Sequence, residues 1–110
     1  MSDIETITKA ILQFRDERDW AQFHTGRDLA TLLNVEAGEL LELFLWKKQN
    51  EDPDQEKLKD ELADVFYAAF LLAAHYQLDV PTIIMEKLEQ NRRKYPVEKA
   101  RGRREKYDEL

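Results

Sequence analysis

Leu29-Ala30-Thr31-Leu32-Leu33-Asn34-Val35-Glu36-Ala37-Gly38-Glu39-Leu40-Leu41-Glu42-Leu43 and, some two dozen positions on, Glu61-Leu62-Ala63-Asp64-Val65 decide how this chain folds. Both stretches repeat apolar residues at helical spacing, and each holds two acids at i and i+3, neighbours on one helix face. In the first, Leu29, Leu33, Leu40 and Leu43 form one stripe and Leu32, Val35, Leu43 and Trp46 its neighbour, so Glu36 and Glu39 are expected to face inward. In the second, Leu58, Val65, Ala68 and Leu72 flank Glu61, and Asp64 opens an almost wholly apolar run to Ala74. Four carboxylates converging in a low dielectric are costly unless something positive joins them. A cation is therefore expected at their meeting point.

The remaining sequence supports an all-α fold. Only three glycines and three prolines interrupt 110 residues rich in Ala, Leu, Glu, Lys and Arg, the strong helix formers. One domain, residues 1–110, fits this length. Ser2 with Glu5 predicts a capping box for a first helix reaching about Arg18. A second helix is expected from Thr25–Asp28 to about Lys48. A third should start at Asp52 with Pro53 in its first turn and run to about Gln77. A fourth should start at Pro81 and stop near Tyr95, before Pro96. The third helix is apolar on nearly all sides between Leu62 and Ala74, more than a lone monomer tolerates, so a homo-oligomer is expected.

Composition narrows the chemistry. With no cysteine, disulfides and thiolate metal sites are excluded, and a reducing, cytoplasmic setting fits. The first residues lack a secretory pattern, and the longest apolar stretch is too short to span a bilayer, so no membrane partner is expected. Net charge is −6, unevenly spread: residues 86–110 hold nine of the 17 Lys and Arg and six of the 23 acids, a net +3, leaving −9 for the rest. Residues 97–110 thus read as a basic, sparsely packed C-terminal tail. A nucleic-acid partner is not expected, because the acidic body would repel a phosphate backbone.

Oxygen-only ligands favour Mg²⁺, with Mn²⁺ as the substitute, over zinc. Neither His24 nor His75 follows a Glu by three residues, which argues against a di-iron carboxylate bundle. Mg²⁺ is commonly shared between a few carboxylates and substrate phosphates, so four acids imply a polyphosphate substrate. Lys87, Asn91 and Tyr95 recur every four residues on the fourth helix and present one polar face to such a substrate. Arg92, Arg93 and Lys94 lie beside them, and Lys47 follows the first acid pair. Each of these cations is equally readable as a solvated surface charge. Trp20 and Trp46, with Phe23 and His24 beside the first, offer flat faces for a nucleobase, or else simply pack a core. Together these groups describe a metal-dependent enzyme that cleaves a nucleotide phosphoanhydride with water as nucleophile, with no activated Ser or Cys visible. The competing class is a non-enzymatic helical interaction module, in which the acids are rim charges and the third helix is an oligomer interface.

Glu36-x-x-Glu39 followed by Glu61-x-x-Asp64 resembles the signature of the MazG-like all-α nucleoside triphosphate pyrophosphohydrolases. Arg18-Asp19-Trp20, Phe23-His24, Gly38-Glu39-Leu40, Leu43-Phe44, Trp46-Lys47, Asn91-Arg92-Arg93-Lys94-Tyr95-Pro96 and Lys106-Tyr107 resemble the dCTP pyrophosphatase branch, from Ile7 onward. The resemblance implies a four-helix MazG-like bundle that hydrolyses dCTP or a 5-modified dCTP to monophosphate and pyrophosphate. It implies Mg²⁺ held by Glu36, Glu39, Glu61 and Asp64, and a homotetramer built as a dimer of dimers whose active sites draw on neighbouring subunits. Trp20 and Trp46 match positions that enclose the base; Lys87, Asn91 and Tyr95 match positions near phosphates and sugar. The chain departs from the animal enzymes where it carries Ile11 for a first-helix His and Ala68 for a Tyr, with Tyr67 one place earlier. Within the same fold the alternatives are a broad-specificity house-cleaning dNTP pyrophosphohydrolase and a dUTPase.

Overall fold

The computed structural model describes residues 2–110 and is helical, with no strand among the described residues. It divides into two compact units, Met1–Leu78 and Asp79–Leu110. The first holds α1 (Asp3–Glu17), a 3₁₀ turn (Ala21–Phe23), α2 (Gly26–Glu42) and α3 (Gln55–His75). The second holds α4 (Val80–Lys94), the short α5 (Val97–Ala100) and a 3₁₀ turn (Tyr107–Glu109). Among the described residues no single helix is long and apolar enough to cross a membrane.

Side chains written into the sequence satisfy the first amides of each long helix. Ser2 and Glu5 close the predicted capping box on α1, with Glu5 N–H donating to Ser2 Oγ at 3.1 Å and Ser2 N–H to Glu5 Oε2 at 3.3 Å. Thr25 and Asp28 close a second box on α2. Asp79 caps α4, accepting from Thr82 N–H at 3.2 Å and Thr82 Oγ1–H at 2.6 Å.

Two boundaries differ from the sequence expectation. The cap of α3 is Asp54, not Asp52: Asp54 accepts from Lys57 N–H at 3.2 Å. Pro53, which has no N–H to satisfy, stays outside the helix. The larger correction is to α2, which ends at Glu42 rather than near Lys48. Beyond it the backbone tightens into i to i+3 bonds, Leu43 N–H to Leu40 O through Lys47 N–H to Phe44 O, and Trp46 adopts a left-handed φ of 65°. A helix of this length is held mainly by packing of its apolar face. Leu41, Phe44, Leu45 and Trp46 are exposed within their own unit, so that support is missing where the helix stops.

α3 packs chiefly on α2 and, less extensively, on α1. The buried centre is small: Leu29 from α2 with Ala68, Leu71 and Ala73 from α3. Alanines at 68 and 73 let the helix backbones approach. At the far end of the pair, the Tyr76 ring capping α3 lies against Gly26 in the first turn of α2, where any Cβ would run into the phenol. Leu62 and Phe66 of α3 remain exposed within the chain, at 40% and 54%.

The second unit is more ordered in outline than a bare tail. Pro96 ends α4 and starts α5, and Tyr107 returns to place its ring edge-on to Tyr95, centroids 6.1 Å apart, with Lys94 Nζ 4.9 Å from the Tyr107 ring centre.

Candidate active site

The facing surfaces of α2 and α3 bring three carboxylates together. Oxygens of Glu36, Glu39 and Glu61 all lie within 4.8 Å of one another, a spacing suited to a shared cation. Glu36 and Glu39 come from successive turns of α2, and Glu61 reaches them because α3 packs against that face. One oxygen each of Glu36 and Glu61 is buried without a hydrogen-bond partner. No ion pair among the described residues reaches any of the four predicted acids.

The electrostatics follow from this crowding. Burial, then the charges of Glu39 and Asp64, push the Glu36 carboxyl above its usual range. Burial first, and again Glu39 and Asp64, raise Glu61 likewise. Each group holds its charge at a cost that a bound cation would remove. The donor set of carboxylate oxygens fits a hard divalent ion, and the two orphaned oxygens are the groups such an ion would satisfy. Asp64 is exposed and outside the tight group of three, although its charge is felt by both Glu36 and Glu61.

On its other side Asp64 borders an apolar pocket of about 530 Å³ between α1 and α3, whose walls include Ile7, Ile11, Phe14, Trp20 and Tyr67. This is within the size range of small-ligand pockets. Trp20 enters it through the way α1 ends. Asp19 takes a left-handed φ of 54°, and Trp20 N–H turns back to donate to Arg15 O at 3.1 Å, a Schellman-type closure. The Trp20 ring then meets Phe14 edge-on at 5.7 Å, while the Arg18 guanidinium lies 3.8 Å from the Phe14 ring centre and donates to Phe14 O at 2.9 Å. Trp20 is thus the part of the aromatic connector that folds back as a wall of the pocket.

The other sequence candidates lie elsewhere. Trp46, expected on the inward stripe of α2, is fully exposed in the turn after it, with Lys47 exposed beside it; Val35 of the same stripe is also exposed. His24 is half-buried after the 3₁₀ turn, its Nδ1 buried and unpartnered. Lys87, Asn91 and Tyr95 belong to the second unit: Lys87 donates to Gln90 Oε1 at 3.3 Å, Asn91 is half-buried and Tyr95 caps α4. Sequence reasoning missed the pocket walls contributed by Ile7, Ile11, Phe14 and Tyr67. The signal was present, since Ile7, Ile11 and Phe14 follow helical spacing and Tyr67 lies one turn after Asp64.

Known proteins resemble this chain over most of its length. The model of the MazG-like family matches residues 32–110, which include all four acids. The chain is 40% identical over 114 aligned positions to dCTP pyrophosphatase 1 of Homo sapiens, covering 97% of this chain and 67% of that protein. The Bos taurus protein of the same name is equally similar, with 68% of its length covered. Among solved structures, a pyrophosphatase from Archaeoglobus fulgidus superposes with a TM-score of 0.78 at 30% identity, covering 87% of this chain and 94% of the other.

Proposed function

The chain belongs to the MazG-like family, and from that membership we propose that it is a nucleoside triphosphate pyrophosphohydrolase. Its reaction is the Mg²⁺-dependent hydrolysis of dCTP, or a 5-modified dCTP, to the monophosphate and pyrophosphate. The observation that carries this reading is the meeting of Glu36, Glu39 and Glu61 around two unpartnered carboxylate oxygens, in a chain 40% identical to dCTP pyrophosphatases.

Glu36, Glu39 and Glu61, with Asp64 beside them, would hold the metal. When bound, Mg²⁺ supplies Lewis acidity and neutralises charge on the triphosphate. The chain's own residues do the rest. By holding the cation the acid cluster would fix where the polyphosphate end sits, and a carboxylate of the cluster accepts the proton of the attacking water. The pocket across Asp64 seats the base against Trp20, keeping the substrate in line while that apolar wall excludes water. Lys87, Asn91 and Tyr95 are assigned to phosphates and sugar, and Trp46, Lys47 and His24 to enclosing the substrate, on the motif match alone. A homotetramer, a dimer of dimers, is the assembly proposed; exposed Leu62 and Phe66 on α3 support it.

The test is to incubate the purified protein with each canonical dNTP, dUTP and 5-methyl-dCTP in Mg²⁺ or EDTA and resolve the products. Mg²⁺-dependent monophosphate with pyrophosphate, fastest from a cytosine nucleotide, is expected. Diphosphate with phosphate, or turnover unaffected by EDTA, would overturn the reading.

A further inference from the structure

We propose that Arg18 is a positioning residue: it does not line the pocket, yet its guanidinium fixes Phe14, and through Phe14 the Trp20 ring, in the arrangement that receives substrate; this rests on the pyrophosphohydrolase reading above. Phe14 is where three elements meet. Its ring stands edge-on to Trp20 of the connector at 5.7 Å and edge-on to Tyr67 of α3 at 6.1 Å, while its backbone belongs to the last turn of α1. That ring is nevertheless 41% exposed, so its neighbours in the wall do not enclose it on every side.

Arg18 supplies the missing cover. Its guanidinium carbon lies over the Phe14 ring, 3.8 Å from the centre, and 6.0 Å from the centre of the Trp20 ring. The same group ties the backbone. Arg18 N–H goes to Arg15 O at 3.2 Å, one residue short of the α-helical pattern, and Arg18 Nη1–H donates at 2.9 Å to Phe14 O, the carbonyl that pattern would have served. One side chain thus clamps both the ring and the carbonyl of Phe14, just before the chain turns back to deliver Trp20. The guanidinium is free to do so: its ion pair with Glu17 is long, at 3.9 Å, whereas Arg15 is held by Asp16 at 2.7 Å. Lysine could not do both, because its compact ammonium lacks the flat fork that stacks and donates at once. A small displacement of a wall that orients substrate is enough to weaken productive binding.

The experiment compares wild type with Arg18→Ala and Arg18→Lys, each well below its own Tm. Initial rates of pyrophosphate release from the nucleotide turned over fastest give kcat and KM. Arg18→Ala should raise KM about fivefold with kcat within about twofold, and Arg18→Lys should fall between it and wild type. Acrylamide quenching of Trp20 fluorescence, read in a Trp46→Phe background that leaves Trp20 as the one tryptophan, should rise in the same order. A merely structural role moves Tm while KM and quenching stay put, and overturns the proposal. Direct contact of Arg18 with substrate raises KM while quenching stays put, and overturns it too. If Arg18→Ala does not fold, Arg18→Lys decides alone: KM and quenching equal to wild type reject the clamp, and a rise in both upholds it. If wild type turns over no nucleotide, the pyrophosphohydrolase reading has failed, and quenching decides the clamp separately. Equal quenching in wild type and variants then overturns it; a rise in the variants upholds it.

Discussion

α3 carries two chemistries on one rod. Toward α2 it presents Glu61 to Glu36 and Glu39, a cluster of acids with unmet oxygens. Toward α1 it presents Ala63 and Tyr67 to an open apolar pocket walled by Phe14 and Trp20. Asp64 stands at the boundary, felt by the acids and lining the pocket. On the proposed reading, cleavage belongs to the face that crowds charge and recognition to the face that offers an apolar shape. A substitution on the acid face should abolish turnover without unfolding the chain, and one on the pocket face should alter which substrate is taken.

The largest effect expected is from Glu61→Gln. Removing one ligand of the proposed cation forfeits several kcal/mol of transition-state stabilisation, about 10³-fold in kcat/KM, while far-UV circular dichroism stays helical. Activity near wild type would remove Glu61 from the site. Asp64→Asn should cost less, about 10²-fold, because Asp64 lies outside the group of three, and should also raise the Mg²⁺ concentration needed for half-maximal rate.

Next comes a contrast between two tryptophans. Trp20→Ala should raise KM by about 10- to 100-fold through lost stacking and also lower Tm, since the ring packs on Phe14 at 5.7 Å. Trp46→Ala should leave the Tm of the isolated chain unchanged, since Trp46 makes no buried contact within it, while still raising KM. A fall in Tm for the second variant at concentrations where the protein is oligomeric, and not on dilution, would assign Trp46 to a subunit interface instead.

The smallest effect is on stability against pH. Glu36 and Glu61 titrate above the ordinary 4.5 when folded, so their contribution to metal-free stability is full below about 4.5 and is lost as pH rises through their elevated folded pKa values. Metal-free Glu36→Gln should therefore have a higher Tm than wild type at pH 7 and lose that advantage near pH 4. Adding Mg²⁺ with nucleotide should reverse the order at pH 7, since ligand stabilises only the chain that binds it, by about 2.7 kcal/mol at 100 times Kd. Thermal melts across pH, with and without ligand, check both signs.

Much of this was legible in residues alone. Helical character, the starts at Ser2 and Thr25, and the stop at Pro96 follow from local hydrogen bonding and proline geometry, which need no distant partner. The acid pairs were legible because i and i+3 fix two carboxylates on one face wherever the helix goes. Three things were not. The end of α2 depended on whether anything would cover Phe44 to Trp46, which periodicity does not disclose. The cap of α3 depended on which of two aspartates beside Pro53 turned its carboxylate inward. The pocket depended on Asp19 accepting a left-handed conformation that swings Trp20 back onto α1.

Caps, proline and helical spacing act within a few residues, so the order of residues sufficed for the helices, the starts of α1 and α2 and the paired acids. Only the tertiary structure decided that Glu61 meets Glu36 and Glu39 while Asp64 stands apart, and that Trp20, Phe14 and Tyr67 share a pocket. The physical reason is that these meetings are set by the rotation and approach of whole helices. Small residues at the α2–α3 contact and the packing of Gly26 against Tyr76 control that approach, and it is a property of two surfaces fitted together rather than of either stretch of chain.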